Sequence, residues 1–285
     1  MIRTTTLTKD DGTVIRTTTE ELQTEKNWNK KQYKLRKNAV GEEMKWRSSS
    51  GDNKNSRFYS DSEVLPMTER EKARYLEEQR QKRKEARNRK KAEEQVAKDR
   101  EASRIRRAFQ ELSGEGRVIV LDTETTGLDS SDEILQLAVV DADGTTLINE
   151  RFRPVYKTAW PDAQRVNGIS PEDVTDKPTI YDAKDEIQDI LDSADIIVGY
   201  NTPFDMGMLS HYGIVPKKDV RVVDIMPMFA VLYGEWDAEN ERFRYKKLVD
   251  CAEYYDYEWG DTAAHDALAD ALATAYCYGR MKEQL

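Results

Sequence analysis

Past residue 120 the sequence holds five side chains whose types and spacing suit hydrolytic chemistry. Asp122 and Glu124 stand two apart where the apolar run RVIVLD (117–122) gives way to TETTGL. In an extended strand, residues i and i+2 point to one face, so both carboxylates converge on one spot. Carboxylates held that close repel unless one is protonated or a cation lies between them. Oxygen-only ligands select hard cations such as Mg²⁺ or Mn²⁺. Acids facing solvent at a polar strand end satisfy the same two-residue pattern. Asp205, in NTPFD, follows a second apolar run, ADIIVGYN (194–201). Ligand sites of α/β sheets gather beyond the carboxyl ends of strands, where Asp122 and Asp205 would both lie. A helix cap at Asp205 and a turn at Asn201 are the plain structural alternatives. His265 and Asp270 close the set in HDALAD (265–270). Five residues turn an ideal helix by roughly 140° beyond a full turn, so the pair cannot share a helix face. If both serve one site, His265 belongs at the helix start or in the loop before it, with Asp266 a bystander. A lone surface histidine is the default for such a residue. His211, at the end of a predicted helix, is assigned a structural or surface place.

These residues need elements to hold them. RVIVLD (117–122), EILQLAVVD (133–141) and TTLINERFRP (145–154) read as three strands, the last two joined by an ADG turn. Strands follow at 194–201 and 220–224, with helices around 180–193, 204–212, 225–233, 246–255 and 264–282. Three strands followed by alternating helices and strands predict an α/β domain with a mixed sheet.

The N-terminal part has another character. IRTTT occurs at 2–6 and again at 15–19, with DDG (10–12) between, which predicts a β-hairpin within 2–19. Residues 21–67 mix cations with Trp28, Tyr33, Trp46, Phe58 and Tyr59, and SSSGDNKNS (48–56) reads as a flexible loop. No Gly or Pro occurs from Thr68 to Leu112, and TERE (68–71) fits a capping box opening one long helix. Between Leu76 and Val96 its only apolar side chains are alanines, so it lacks a coiled-coil seam. Ile105, Phe109 and Leu112 recur at helical spacing and are expected to dock on the next domain. SGEG (113–116) then marks a boundary. The expected organisation is a basic, aromatic region at 1–67, a charged helix at 68–112 and an α/β domain at 117–285.

Charge follows the same division: residues 1–116 carry a net +8 and residues 117–285 a net −17, giving −9 overall. RQKRKEARNRKK (80–91) alone has eight cations against one glutamate. A phosphate backbone is one partner for this arm, with the aromatics at 28–59 stacking on bases. A solvated spacer or a protein-docking arm is the alternative. Two cysteines, Cys251 and Cys277, make no disulfide framework and suggest a reducing compartment. The start MIRTTTLTKDDGT has no apolar stretch of a secretory signal, and no apolar run reaches the ~18 residues of a membrane span. A soluble, cytoplasmic protein without membrane contact is expected.

From about residue 117 to 282 the chain resembles the DEDDh (DnaQ-like) 3′→5′ exonucleases of the RNase H-like superfamily. The resemblance rests on D122-T-E124, Asp205 in NTPFD, and His265 with Asp270 in an H-x-A-x-x-D arrangement. The histidine five before the last aspartate places it in the histidine class, and RVNGISPEDVTDKPT (165–179) is similar to the family's segment between the first two motifs. The resemblance implies a mixed five-stranded sheet flanked by helices, following a basic, largely helical extension. It also implies two Mg²⁺ or Mn²⁺ ions on the carboxylates. Asp122 would bridge them, Glu124 and Asp270 would hold the ion that binds the attacking water, and Asp205 would act through outer-shell or water-mediated contacts. His265 would be the general base. Thr125, Thr126, Gly127 and Leu128 would meet the terminal nucleotide, with Asn201 and Phe204 as further substrate candidates. Phe204 fits a core position equally well. The expected substrate is the 3′ end of DNA, with an RNA-trimming enzyme, a polymerase proofreading subunit and a noncatalytic nucleic-acid scaffold as alternatives.

Overall fold

A computed structural model describes residues 2–8, 14–47, 53–260 and 265–284. The chain divides into two compact units, residues 1–92 and 93–285. In the first, the two IRTTT segments lie in antiparallel partners: β1 (Ile2–Thr8) pairs β2 (Val14–Glu21), with Thr4 opposite Thr19 and Thr6 opposite Thr17. The DDG turn expected between them falls outside the described residues. β3 (Gln23–Thr24), α1 (Glu25–Lys30), β4 (Tyr33–Leu35), β5 (Glu42–Arg47), β6 (Asn53–Tyr59) and β7 (Val64–Pro66) follow. β6 joins β3 and β5 in one antiparallel sheet, and β4 pairs β7. Residues 53–56, expected in a loop, are therefore strand, and residues 48–52 lie outside the described set. Trp28, Phe58, Leu22 and Val64 are buried, and the Trp28 Nε1–H donates to the Tyr59 carbonyl at 2.9 Å. Trp28 and Phe58 are thus core residues of this small unit and cannot stack on nucleic-acid bases. Burial of scarce apolar surface takes precedence in so small a core.

α2 (Glu69–Leu112) begins with the expected capping box. The Thr68 amide donates to Glu71 Oε2 at 2.9 Å, and the Glu71 amide to Thr68 Oγ1 at 3.4 Å. Every residue from Arg80 to Val96 is exposed. Ala102, Ile105 and Phe109, by contrast, are buried in the second unit, with Leu112 packed beside them. The helix therefore contributes to both units, and its last turns belong with the α/β fold.

That fold is a five-stranded mixed sheet. Its strands are β8 (Val118–Thr125), β9 (Ile134–Asp141), β10 (Thr146–Arg151), β11 (Ile196–Gly199) and β12 (Arg221–Asp224), in spatial order β10-β9-β8-β11-β12. β8, β9 and β10 form an antiparallel meander, while β11 runs parallel to both β8 and β12. The helices are α3 (Pro161–Asn167), α4 (Pro171–Val174), α5 (Lys184–Asp192), α6 (Thr202–His211), α7 (Ile225–Tyr233), α8 (Leu248–Tyr254) and α9 (Ala267–Glu283). A short ribbon, β13 (Trp236–Asp237) with β14 (Arg242–Phe243), follows α7.

The two-residue period of β8 sorts its side chains into two core layers. Ile119 and Leu121 pack with Ile187 and Leu191 of α5 and Met208 and Leu209 of α6. Val120 faces the other way, toward Phe109 of α2, Phe229 of α7 and the alanines of α9. Ala267, Ala271 and Ala275 are buried in that second layer. Small side chains let a helix approach a sheet closely, which brings the first turn of α9 to the end of β8. Among the described residues, no helix is long and apolar enough to cross a membrane.

Candidate active site

Four acids and one histidine meet at the carboxyl ends of β8 and β11. Asp122 and Glu124 share the β8 face that looks toward α9. Thr123, on the opposite face, donates through its amide (3.0 Å) and its hydroxyl (2.6 Å) to Asp205 Oδ1. Asp205 is buried in the first turn of α6 and reaches the site from the other core layer. Asp270 lies in the first turn of α9, and ligand atoms of Glu124, His265 and Asp270 all fall within 4.8 Å of one another.

His265 stands outside the helix. α9 starts at Ala267 with Asp266 as its N-cap, the Asp266 Oδ1 accepting from the Leu268 amide at 3.1 Å and the Ala269 amide at 3.3 Å. His265 takes a left-handed backbone conformation, with φ 72°, and stays exposed. Its amide points at the Asp270 carboxylate, at 3.3 and 3.4 Å from the two oxygens. That bend resolves the 140° mismatch of a regular helix. Asp266 is not a bystander: besides capping α9, its Oδ2 accepts from Gln136 Nε2 at 3.2 Å, tying the helix start to β9. Residues 261–264, just before His265, lie outside the described set.

Crowding of the acids shows in their proton affinities. Burial, then the charges of Asp205, Asp270 and Glu124, hold the Asp122 carboxyl well above the ordinary carboxylate range. Burial and then Asp270 push Glu124 up to about 7, against the opposing hydrogen bond from Asn167. Burial pushes Asp205 up to about 7 against the Thr123 hydrogen bonds, and Asp270 up to about 6 against the His265 amide. Four acids that resist joint ionisation, offering oxygen donors beside one imidazole, suit a hard divalent cation, because positive charge removes the penalty of ionising them together.

Beside the acids opens a cleft of about 520 Å³, bounded by residues 124–129 with Asp132 on one side and by α3 on the other. Thr125, Thr126, Gly127 and Leu128 line it as expected. Asp132 organises this wall. It accepts from the Thr126 hydroxyl at 2.8 Å and the Asp129 amide at 2.9 Å, and pairs with Lys157 at 2.9 Å. A Cβ at Gly127 would lie 2.5 Å from Asp132 Oδ2, so any side chain there would have to displace the Asp132 carboxylate. Leu128, 85% exposed, and Val166, 58% exposed, present apolar surface at the cleft.

Asn201 and Phe204 do not line this cleft. Asn201 is a left-handed residue ahead of α6 whose amide donates to Asp224 Oδ1 at 2.9 Å. Phe204 is half-buried against the α5–α6 core layer. His211 is exposed at the end of α6, away from the acids. Asn167, Val166 and Asp132 were not singled out from sequence. Asn167 Nδ2 donates to the Thr125 carbonyl at 3.2 Å and also reaches the Glu124 carboxylate. The only sequence signal for it was its place in RVNGIS, where Gly168 ends α3 in a left-handed turn.

A family model described as Exonuclease (RNase T) matches residues 119–278, more than half of the chain and all within the second unit. The chain belongs to this exonuclease family. It carries a hydrolytic 3′→5′ exonuclease domain of the DnaQ-like, DEDDh type, with the RNase H-like fold. Among curated proteins it is 31% identical over 173 residues to the DNA polymerase III subunit epsilon of Escherichia coli K12, covering 57% of this chain and 70% of that one. An uncharacterized exonuclease, CP81, of Escherichia phage 186 is 30% identical over 164 residues, covering 55% of this chain and 83% of the relative. Among solved structures, E. coli exonuclease I in complex with a dT13 oligonucleotide superposes with a TM-score of 0.50 at 19% identity, covering 59% of this chain. The chain spans only 41% of that exonuclease I chain, and the likeness is one of fold.

Proposed function

We propose that this domain removes nucleotides one at a time from the 3′ end of DNA, with Mg²⁺ or Mn²⁺ held by Asp122, Glu124, Asp205 and Asp270. The observation that carries the reading is the convergence of Glu124, Asp270 and His265 within 4.8 Å, beside the buried carboxyl of Asp122. DNA is preferred over RNA because the 31%-identical relative is a DNA polymerase subunit. Two bound cations would neutralise the scissile phosphate and acidify the attacking water.

The chain's own groups supply the rest. The terminal nucleoside enters the cleft, where Leu128 and Val166 meet the base and the wall of Thr125, Thr126 and Gly127 limits its depth. The His265 imidazole takes a proton from the water that attacks phosphorus, the work of a general base. The bond from phosphorus to the penultimate 3′ oxygen breaks, and a nucleoside 5′-monophosphate leaves. Its amide contact to Asp270 keeps His265 beside the reacting centre, and the exposed left-handed turn leaves the ring free to enter and withdraw. Asp205, fixed by Thr123, adds negative charge from the opposite layer.

The direct test is digestion of 5′-labelled single- and double-stranded DNA and RNA with Mg²⁺ or Mn²⁺. A ladder shortening from the 3′ end of DNA is expected; shortening from the 5′ end, or no hydrolysis, overturns the assignment. His265→Ala should bind metal and oligonucleotide yet lose about 10²–10⁴ in rate. Asp122→Ala should lose metal binding and turnover together. The resemblance to an epsilon subunit favours a second reading, a proofreading subunit, for which mismatched 3′ termini should be cut faster than paired ones.

A further inference from the structure

We propose that α2 between Arg80 and Lys91 is a second nucleic-acid contact, a cationic stripe that binds the phosphate backbone without regard to sequence. The proposal goes beyond the catalytic reading and uses no residue of the cleft. Eight cations fall in this stretch, and six of them, Arg80, Arg83, Lys84, Arg87, Lys90 and Lys91, occupy one face. At 3.6 residues per turn they lie within an arc of about 120°. The remaining two, Lys82 and Arg89, lie on the back with Glu78, Glu85 and Glu93, each three or four residues from an acid. The stripe has no such compensation at its centre: Arg83, Lys84 and Arg87 have only cations or neutral residues at i±3 and i±4. Among the described residues, Arg83, Lys84, Arg87, Lys90 and Lys91 make no ion pair.

Like charges at these spacings destabilise a helix, so the segregation works against the helix that carries it unless an anion covers the face. A merely solvated helix would intersperse the two signs, as the turns on either side do.

Exposure and composition say what kind of anion fits. The segment is exposed on every side, and its only apolar side chain is Ala86. A membrane-surface helix needs a bulky apolar face, and a protein interface needs aromatic or aliphatic anchors; this segment has neither. What remains is charge alone at regular spacing. Arg80 to Lys91 covers about 17 Å of helix axis, roughly the length of five phosphates along one strand of a duplex. The small N-terminal unit supports the choice, since Trp28 and Phe58 are committed to its core and leave no stacking platform from that pair.

The experiment is equilibrium binding of a fluorescent 40-nucleotide DNA strand to the full chain in EDTA, from 50 to 300 mM KCl. The intact chain is compared with a variant carrying Arg80→Gln, Arg83→Gln, Lys84→Gln, Arg87→Gln, Lys90→Gln and Lys91→Gln, and with Lys82→Gln/Arg89→Gln from the back face. Gln matches Arg and Lys in helix propensity, so circular dichroism should show the helix retained. If three phosphate contacts are lost, the log–log salt slope should fall by ~2 and affinity at 0.15 M salt by roughly 50-fold. The back-face variant should change little. Hydrolysis of thymidine 5′-monophosphate p-nitrophenyl ester, too short to reach the stripe, should be equal in all three proteins. Because binding is read without metal, failure of the catalytic assignment would leave this result standing. An unchanged slope in the six-residue variant, with the helix then serving an acidic protein or solubility alone, overturns the proposal. A loss per cation removed in the back-face variant equal to that of the six-residue variant overturns it too, since net charge rather than the stripe would then be responsible.

Discussion

Replacing Glu124 by Gln should make the metal-free protein more stable and the enzyme inactive. In the folded chain the Glu124 carboxyl is pushed up to about 7 from an ordinary 4.5, by burial first and Asp270 second. A displacement of ~2.5 units corresponds to ~3.4 kcal/mol of destabilisation when the group is ionised. Neighbouring acids relax in part when one charge is removed, so a gain of ~2–3 kcal/mol is expected at pH 8 in EDTA. For a unit of this size that is a rise in Tm of roughly 5–10 °C. The pH dependence follows from the raised pKa. Stability supplied by protonated Glu124 is fully present below pH ~4.5 and lost as pH rises through about 7, so the benefit of Gln appears over that window. At pH 5 the gain should shrink to below ~1 kcal/mol. Mg²⁺ should cancel most of the difference at pH 8: saturation at 100 times the Kd adds ~2.7 kcal/mol to the native chain and much less to the variant. Urea or thermal unfolding at pH 5 and pH 8, with EDTA and with Mg²⁺, reads all four values. Absence of a gain at pH 8, or the same gain at both pH values, would refute charge crowding as the cause.

Three further outcomes can be checked with single substitutions. Asp266→Ala removes the α9 N-cap and should cost ~1 kcal/mol in urea unfolding. It should also lower kcat more than it raises KM, because the cap fixes the start of the helix that presents Asp270, and Asp266→Asn should restore most of the stability. Gly127→Ala places a methyl 2.5 Å from Asp132 Oδ2 and should cost ~1–3 kcal/mol as the cleft wall shifts, read as a lower kcat/KM on oligonucleotides. Phe109→Ala empties a 4% exposed site against Tyr278 and should destabilise the exonuclease unit by ~3–5 kcal/mol, although it lies far along the chain from any catalytic motif.

Most of the architecture was legible in the sequence because its signals are local. The apolar runs at 117–122, 133–141 and 194–201 became β8, β9 and β11, and the capping box at Thr68 opened α2 as written. Asp122 and Glu124 were legible because a strand's period puts i and i+2 on one face. Less legible were residues whose environment comes from distant segments. Trp28 and Phe58 sit among basic residues in sequence, yet the fold spends them on a core; residues 53–56 look like a loop, yet pair with β5.

By itself the sequence determined which groups can do chemistry and on which elements they ride, since side-chain type and backbone period are written into the chain residue by residue. Tertiary structure alone decided that Asp266 ties the start of α9 to β9, and it decided the roles of Asn167 and Asp132. Each acts through a hydrogen bond to a group four or more residues away at least, and for Asp266 the partner is Gln136 on another element. It also decided that His265 leaves the helix before α9 begins, in a left-handed turn whose amide meets Asp270. Proton affinities belong to the same class: four carboxylates become reluctant acids only when β8, α6 and α9 bring them together out of water, because repulsion and desolvation depend on distance through space.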